Sequence, residues 1–178
     1  MMITILVAYD DNRVIGDKGG IPWKISEEFK HFKKTTVGNP VIMGRKTWDS
    51  LPENYKPLPD RPNIIVSRNA DLLEKEWYAR LTAKKNTALT FFEHTLEEAI
   101  DFASVSCPYK EIFIIGGGEI YKQAIDKKLA DRVLASEIKG THKGDTFFPE
   151  LPLQGMELVK SRKVIQEFDE FCVVEYAL

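Results

Sequence analysis

Only two cysteines and three histidines occur in the 178 residues, and they are scattered. Cys107 and Cys172 belong to no C-x-x-C pair, which argues against both a disulfide framework and a zinc ribbon. His31, His94 and His142 form no H-x-x-x-H pattern and have no carboxylate cluster beside them, so no metal site is expected. An excess of one charge is missing too. Lys plus Arg is 25 and Asp plus Glu is 27, a net charge of −2 that leaves no broad footprint for nucleic acid or an anionic membrane. Any anion must be bound by a local cluster. Nor is there a long hydrophobic run: no segment approaches the ~20 apolar residues of a membrane span. The apolar start ITILVAY reaches Asp10 and Asp11 without a basic leader or a small-residue cleavage site. A cytosolic chain with reduced core thiols is the expectation.

With 43% apolar residues, the chain is long enough for one well-buried core and short for two, so residues 1–178 are expected to form a single domain. Short β-rich runs at 3–9, 40–43, 63–66, 88–92, 111–115 and 132–137 alternate with helical patterns at 26–36, 46–50, 96–103 and 119–127. Several runs, such as VIM, IIV and IFII, are continuously apolar, as strands covered on both faces must be. Thr95 and Glu98 have the spacing of a capping box. The last two runs, 157–165 and 171–176, are joined by the polar QEFDE with no room for a helix, which reads as an antiparallel hairpin. The expected fold is α/β and three-layered, a mostly parallel central sheet of about eight strands with helices on both faces and a C-terminal antiparallel hairpin. DNRVIGDKGG and LPENYKPLPDRP are Gly- or Pro-rich loops near strand ends, where such sheets bind ligands.

The stretch IPWKISEEFKHFKK sets two acids side by side in the first helix. At about 100° per residue, Ile25, Phe29, Phe32 and Thr36 share one stripe while Glu27 points away from it. Glu28 falls about 70° from the stripe's centre, at the margin where burial raises a carboxyl pKa and makes a candidate acid. First-turn acids behind a Ser26 cap are also common, and geometry alone leaves both readings standing.

Three strands end in groups suited to anions. IFIIGGGEIY runs into Gly116, Gly117 and Gly118 and then a helix, which permits close approach of a phosphate or a flat ring, or simply makes a tight turn. It is not a G-x-G-x-x-G fingerprint, since position 121 is Tyr, and Glu119 in the first turn repels a phosphate. PVIMGRKTW places Gly44, Arg45, Lys46 and Thr47 at a helix start without forming a P-loop, because Arg45 intervenes before the lysine. NIIVSR ends in Ser67 and Arg68. Converging, these cations and hydroxyls would suit the ribose phosphate that separates NADP from NAD; singly, each reads as a solvated surface residue.

Taken together, VIG followed by IPWK, a helix with an acid, PVIMGRKTWDSL, PLPDRPNIIVSR, IFIIGGGEIY and GDTFFP resemble, in order and over nearly the whole chain, the dihydrofolate reductase family. The resemblance implies a cytoplasmic, monomeric NADPH-dependent reductase of dihydrofolate, with hydride going to C6 of the pteridine and a proton to N5. Tetrahydrofolate for one-carbon and thymidylate metabolism would be the product, and antifolate inhibitors are among the implied ligands. By matching position Glu28 would hold the pteridine and promote N5 protonation, Trp23 and Tyr121 would stand near the reacting rings, and Ser136 would support Glu28. Ile5, Val7, Ala8, Phe29, Phe32, Leu51, Leu58 and Ile115 would wall the pocket. Arg61 would pair with the carboxylate of the substrate's glutamate tail, with Lys33 and Lys56 at the rim.

For NADPH, the resemblance assigns residues 44–47 with Ser67 and Arg68 to the adenosine end and pyrophosphate. Residues 115–121, including Ile115, Glu119, Ile120 and Tyr121, would lie along the nicotinamide half, with Ala8, Ile15 and Gly16 nearby and a cis peptide between Gly116 and Gly117. The loop DNRVIGDKGGIPW would be a mobile lid held closed through Asp145. Rival readings are a pyrimidine reductase on the same scaffold, a non-catalytic nucleotide-binding module and a phosphotransferase using residues 44–47. The Trp23, Glu28 and Arg61 set disfavours the first, and the broken P-loop pattern disfavours the last.

Overall fold

The structure is a computed structural model that describes residues 1–81, 89–151 and 159–178. Its strands are β1 (Ile3–Asp10), β2 (Val14–Gly16), β3 (Val41–Gly44), β4 (Asn63–Val66), β5 (Thr90–Glu93), β6 (Ile112–Ile114), β7 (Arg132–Ile138), β8 (Thr146–Phe147), β9 (Ser161–Glu167) and β10 (Phe171–Ala177). The helices are α1 (Ser26–Thr36), α2 (Arg45–Ser50), α3 (Ala70–Leu81), α4 (Leu96–Ser106) and α5 (Gly118–Asp126). Eight strands form one sheet in the order β5-β4-β3-β6-β1-β7-β10-β9, while β2 and β8 pair separately. Every neighbour from β5 to β7 is parallel, and β10 runs antiparallel to both β7 and β9. This is the expected mostly parallel sheet closed by a C-terminal hairpin.

Strand alternation divides the core into two layers. Ile5, Val7, Ile42, Ile64 and Ile114 face α4 and α5. Leu6, Val41, Met43, Ile65 and Phe113 face the other way, with Trp23, Trp48 and Trp77, toward α1, α2 and α3. The Thr95 and Glu98 capping box at the start of α4 is formed in full.

Differences from expectation have local causes. The run at 88–92 appears as Thr90–Glu93 and that at 157–165 as Ser161–Glu167; residues 88, 157 and 158 lie outside the described residues. No helix was expected over Ala70–Leu81, a charged segment of weak amphipathicity. It is anchored by Trp77, 5% exposed, whose ring meets Trp48 edge-on at 5.1 Å. Helix α1 begins at Ser26 behind Ile25, with no side-chain cap, so the expected Ser26 cap is absent.

Chain order places a crevice at the sheet's middle. From β1 the chain crosses to β3, beyond β6, while β7 lies on the opposite side of β1. Connections leave the carboxyl ends of β1 and β6 in opposite directions, and such a switch point is where open α/β sheets receive ligands.

Candidate active site

Glu28 and Asp10 are the buried carboxylates among the described residues, at 6% and 1% exposure. They differ in what surrounds them. Asp10 is saturated by backbone N–H groups from Asn12, Val14 and His142. The Glu28 carboxyl, on the sheet-facing side of α1, receives the Ser136 hydroxyl, a bond that favours its charged form. Burial outweighs that bond and pushes the Glu28 pKa from 4.5 up to about 7. Ser136 reaches it because β7 lies in register beside β1, pairing Ser136 with Ala8. Glu27, one residue earlier, is exposed and meets Lys30 at 2.5 Å.

The buried face of α1 is turned further toward Glu28 than the apolar stripe alone indicates. Glu28 and Thr36 are its buried residues, whereas Phe29 is 44% exposed. Phe29 therefore lies at the surface next to the buried Glu28, not in the core. Ala8, Phe32, Leu51 and Ile115 are partly buried around the same core cluster, and Leu58 and Trp23 are buried in it. Ile5 and Val7 belong to the opposite layer. Leu6, which the sequence reading did not select, lies on the Trp23 layer, and its carbonyl accepts the Tyr121 hydroxyl at 2.8 Å. Burial, reinforced by the Glu28 charge, pushes the Tyr121 phenol far above its ordinary range and keeps it neutral. The Trp23 indole Nε1 is buried with no hydrogen-bond partner among the described residues.

Arg61 is 5% exposed. Its Nε donates to the Pro59 carbonyl at 2.9 Å and its Nη1 to the Thr36 hydroxyl. Thr36 is thus a supporting residue that the apolar-stripe reading hid. Lys33 is exposed on α1. Lys56 leans over the Trp48 ring at 4.9 Å, 3.8 Å from Asp49, and so is held on the α2 side.

Two other strand ends form a glycine-lined floor. Gly44 N–H donates to the Gly116 carbonyl at 2.7 Å, and the peptide between Gly116 and Gly117 is cis. Gly116 has φ +100, and a Cβ there would stand 2.7 Å from the Tyr121 ring, so both backbone and packing require glycine. Neither α2 nor α5 has a side-chain cap at its start. Arg45 and Lys46 are exposed there, Arg45 lying 3.6 Å from Asp49, and Thr47 is near Gly117. Since Gly44 is in register with Val66, Ser67 and Arg68 leave β4 beside Arg45. The Ser67 hydroxyl accepts from Asn69 N at 3.1 Å, and Arg68 is exposed. Arg45, Lys46, Thr47, Ser67 and Arg68 do share one end of the sheet. Uncapped helix starts, two hydroxyls and exposed cations form a donor set that fits a dinucleotide's phosphates. Glu119 is exposed in the first turn of α5, and Ile120 is buried beneath Gly44.

Residues 14–16 are seated over this floor. β2 pairs with β8, Asp145 N donates to the Gly16 carbonyl at 3.0 Å, and Asp145 Oδ2 accepts from Lys18 N at 3.0 Å. Ile15 approaches the position above Gly118. These strands of two and three residues are too short to show as sequence patterns.

A switch-point crevice with a buried acid on one wall and a glycine-lined, cationic floor has the parts of a nucleotide-dependent reductase. A sequence model of the dihydrofolate reductase family matches residues 2–177. The chain is 35% identical over 171 residues to a dihydrofolate reductase of Haemophilus influenzae, covering 96% of this chain and 88% of that one. It is 41% identical over 151 residues to one of Neisseria gonorrhoeae, covering 85% and 81%. Among solved structures, dihydrofolate reductase from Enterococcus faecalis, complexed with NADP(H) and RAB-propyl, superposes with a TM-score of 0.73 at 25% identity, over 99% of this chain and 95% of that one. The chain belongs to the dihydrofolate reductase family.

Proposed function

We propose that this chain reduces 7,8-dihydrofolate to 5,6,7,8-tetrahydrofolate with NADPH, supporting one-carbon and thymidylate metabolism. The observation that carries the mechanism is Glu28, a buried carboxyl bonded by Ser136 at the switch point of the sheet, its pKa pushed up to about 7 by burial. NADPH supplies the hydride when bound, and the groups at Gly44, Arg45, Lys46, Thr47, Ser67, Arg68 and Gly116–Gly118 are those that would hold it. Glu28 grips the pteridine edge and favours a proton at N5, since at a pKa of about 7 it can both hold and release one at neutral pH. Ser136 keeps the carboxyl oriented. Phe29, Phe32, Leu51 and Ile115 exclude water from the reacting ring, and Trp23 presents an unsatisfied N–H for a water or a substrate oxygen. Arg61 receives the substrate's tail carboxylate.

The direct test is NADPH absorbance with purified protein. Oxidation is expected only on addition of dihydrofolate, and no oxidation would overturn the reading. A second measurement concerns Glu119, an exposed acid beside the cofactor's phosphates in this reading. Glu119→Gln is expected to tighten NADPH binding about three-fold at low ionic strength, with the gain vanishing in high salt. Fluorescence titration reads this, and an unchanged Kd at low salt removes Glu119 from the site.

No helix among the described residues is long and apolar enough to cross a membrane. In this reading the chain works in the cytoplasm as a single-domain monomer.

A further inference from the structure

Two segments far apart in the chain meet at the end of β1. The Asp10 carboxylate divides its oxygens between them. Oδ1 accepts from Asn12 N at 3.0 Å and Val14 N at 2.9 Å, the residues that open the lid and start β2. Oδ2 accepts from the backbone N–H of His142, in the segment before β8, and the His142 ring Nδ1 lies 3.3 Å from the same oxygen. The His142 ring also meets Trp23, with centroids 5.2 Å apart and planes at 64°, an edge-to-face contact. Asp145 holds the lid elsewhere, through Lys18 and Gly16.

Asp10 already has three backbone donors, so the ring bond is not needed to satisfy it. What the bond does is fix the plane of the imidazole. Trp23 depends on such fixing, because its indole N–H has no partner among the described residues and ring packing alone orients it. We propose that His142 is a positioning residue for the reduction: its imidazole, held by Asp10 at the root of the lid, couples the lid's closed position to the place of Trp23 in the cleft wall. This rests on the reductase reading above. Lid motion and substrate-side geometry then become one two-position element, and the hydride-transfer rate depends on how fully it is closed.

Two substitutions separate the halves of the contact. His142→Phe keeps a ring beside Trp23 but has no side-chain donor for Asp10, leaving only the backbone N–H there; His142→Asn keeps a side-chain donor and loses the ring. Each is expected to slow single-turnover hydride transfer by about five-fold or more, while the KM for dihydrofolate stays within about two-fold. The Trp23 indole signal in a ¹H–¹⁵N spectrum of the NADPH complex is expected to broaden or double, and the urea midpoint to hold. An unchanged transfer rate in either variant, or slowing with a single sharp wild-type Trp23 signal, overturns the proposal. Should His142→Phe fail to fold, His142→Asn carries the test with the same readouts. Wild-type turnover in the same series separates the two ideas. If the wild type is inactive, the reductase reading fails; if it is active and the variants equal it, this coupling alone fails.

Discussion

Glu28→Gln is expected to lose about 10²- to 10⁴-fold in turnover near neutral pH and, at the same time, to make the protein more stable at alkaline pH. Both effects come from one burial. The amide keeps the size and hydrogen-bonding edge of the carboxyl but cannot gain or lose a proton, so pteridine binding is retained better than the chemical step. For stability, the carboxyl has a folded pKa of about 7 against an ordinary value of 4.5, so between those values the folded state binds more protons than the unfolded one. Stability therefore falls as pH rises through that window. At 1.36 kcal/mol per pKa unit the full loss is about 3 kcal/mol above pH 7. Gln at this position has no such dependence. Urea unfolding at about pH 5 and about pH 8 should show the variant's advantage growing with pH. An advantage that stays constant, or a variant that turns over dihydrofolate as fast as Glu27→Gln, removes Glu28 from its role. Wild-type turnover should decline as pH rises through about 7, where the carboxyl gives up its proton.

How far this site was legible in the sequence depends on what hydrophobic patterning records. The central strands were readable because VIM, IIV and IFII are apolar on both sides, and β3, β4 and β6 are indeed buried on both faces. The same property hid their parity. In a strand buried on both faces nothing distinguishes one side from the other, so the pattern alone does not choose between Ile5, which lies in one layer, and Leu6, which lies in the layer of Trp23. On α1 the apolar stripe includes Phe29, yet the residue stays 44% exposed. The apolar periodicity there mixes residues that face the sheet with one left largely exposed, which puts Glu28 at the margin of the stripe although it belongs to the buried face. α3 left no readable pattern because one tryptophan anchors a helix otherwise solvated along most of its length. The Asp10 and His142 contact joins residues 132 apart, and no local signal announces such a pairing.

Arg61→Met is expected to raise the KM for dihydrofolate by about 10²-fold, with kcat within a few-fold of wild type, because the tail carboxylate is bound equally in ground and transition states. The guanidinium has five donors; Nε and Nη1 are committed to the Pro59 carbonyl and the Thr36 hydroxyl, which leaves the rest of its fork for a ligand. Among the described residues no carboxylate forms an ion pair with it, and burial pulls its pKa below the ordinary arginine value. An arginine this buried, with only the neighbouring Asp60 to offset its charge and burial outweighing that help, is costly to the empty protein. Truncating one partner of a desolvated, hydrogen-bonded charge pair costs about 2–5 kcal/mol, the basis for the expected loss of affinity. The same reasoning predicts that the ligand-free Arg61→Met protein unfolds no earlier than wild type, since a methionine of similar length fills the site without a charge to desolvate. Arg61→Lys should recover less than about a tenth of the lost affinity, because an ammonium cannot present a planar fork. A dihydropterin lacking the glutamate tail supplies the control. Wild type and Arg61→Met should turn it over with the same kcat/KM, and a remaining difference between them would show that Arg61 acts on the pteridine end or on the fold instead of on the tail.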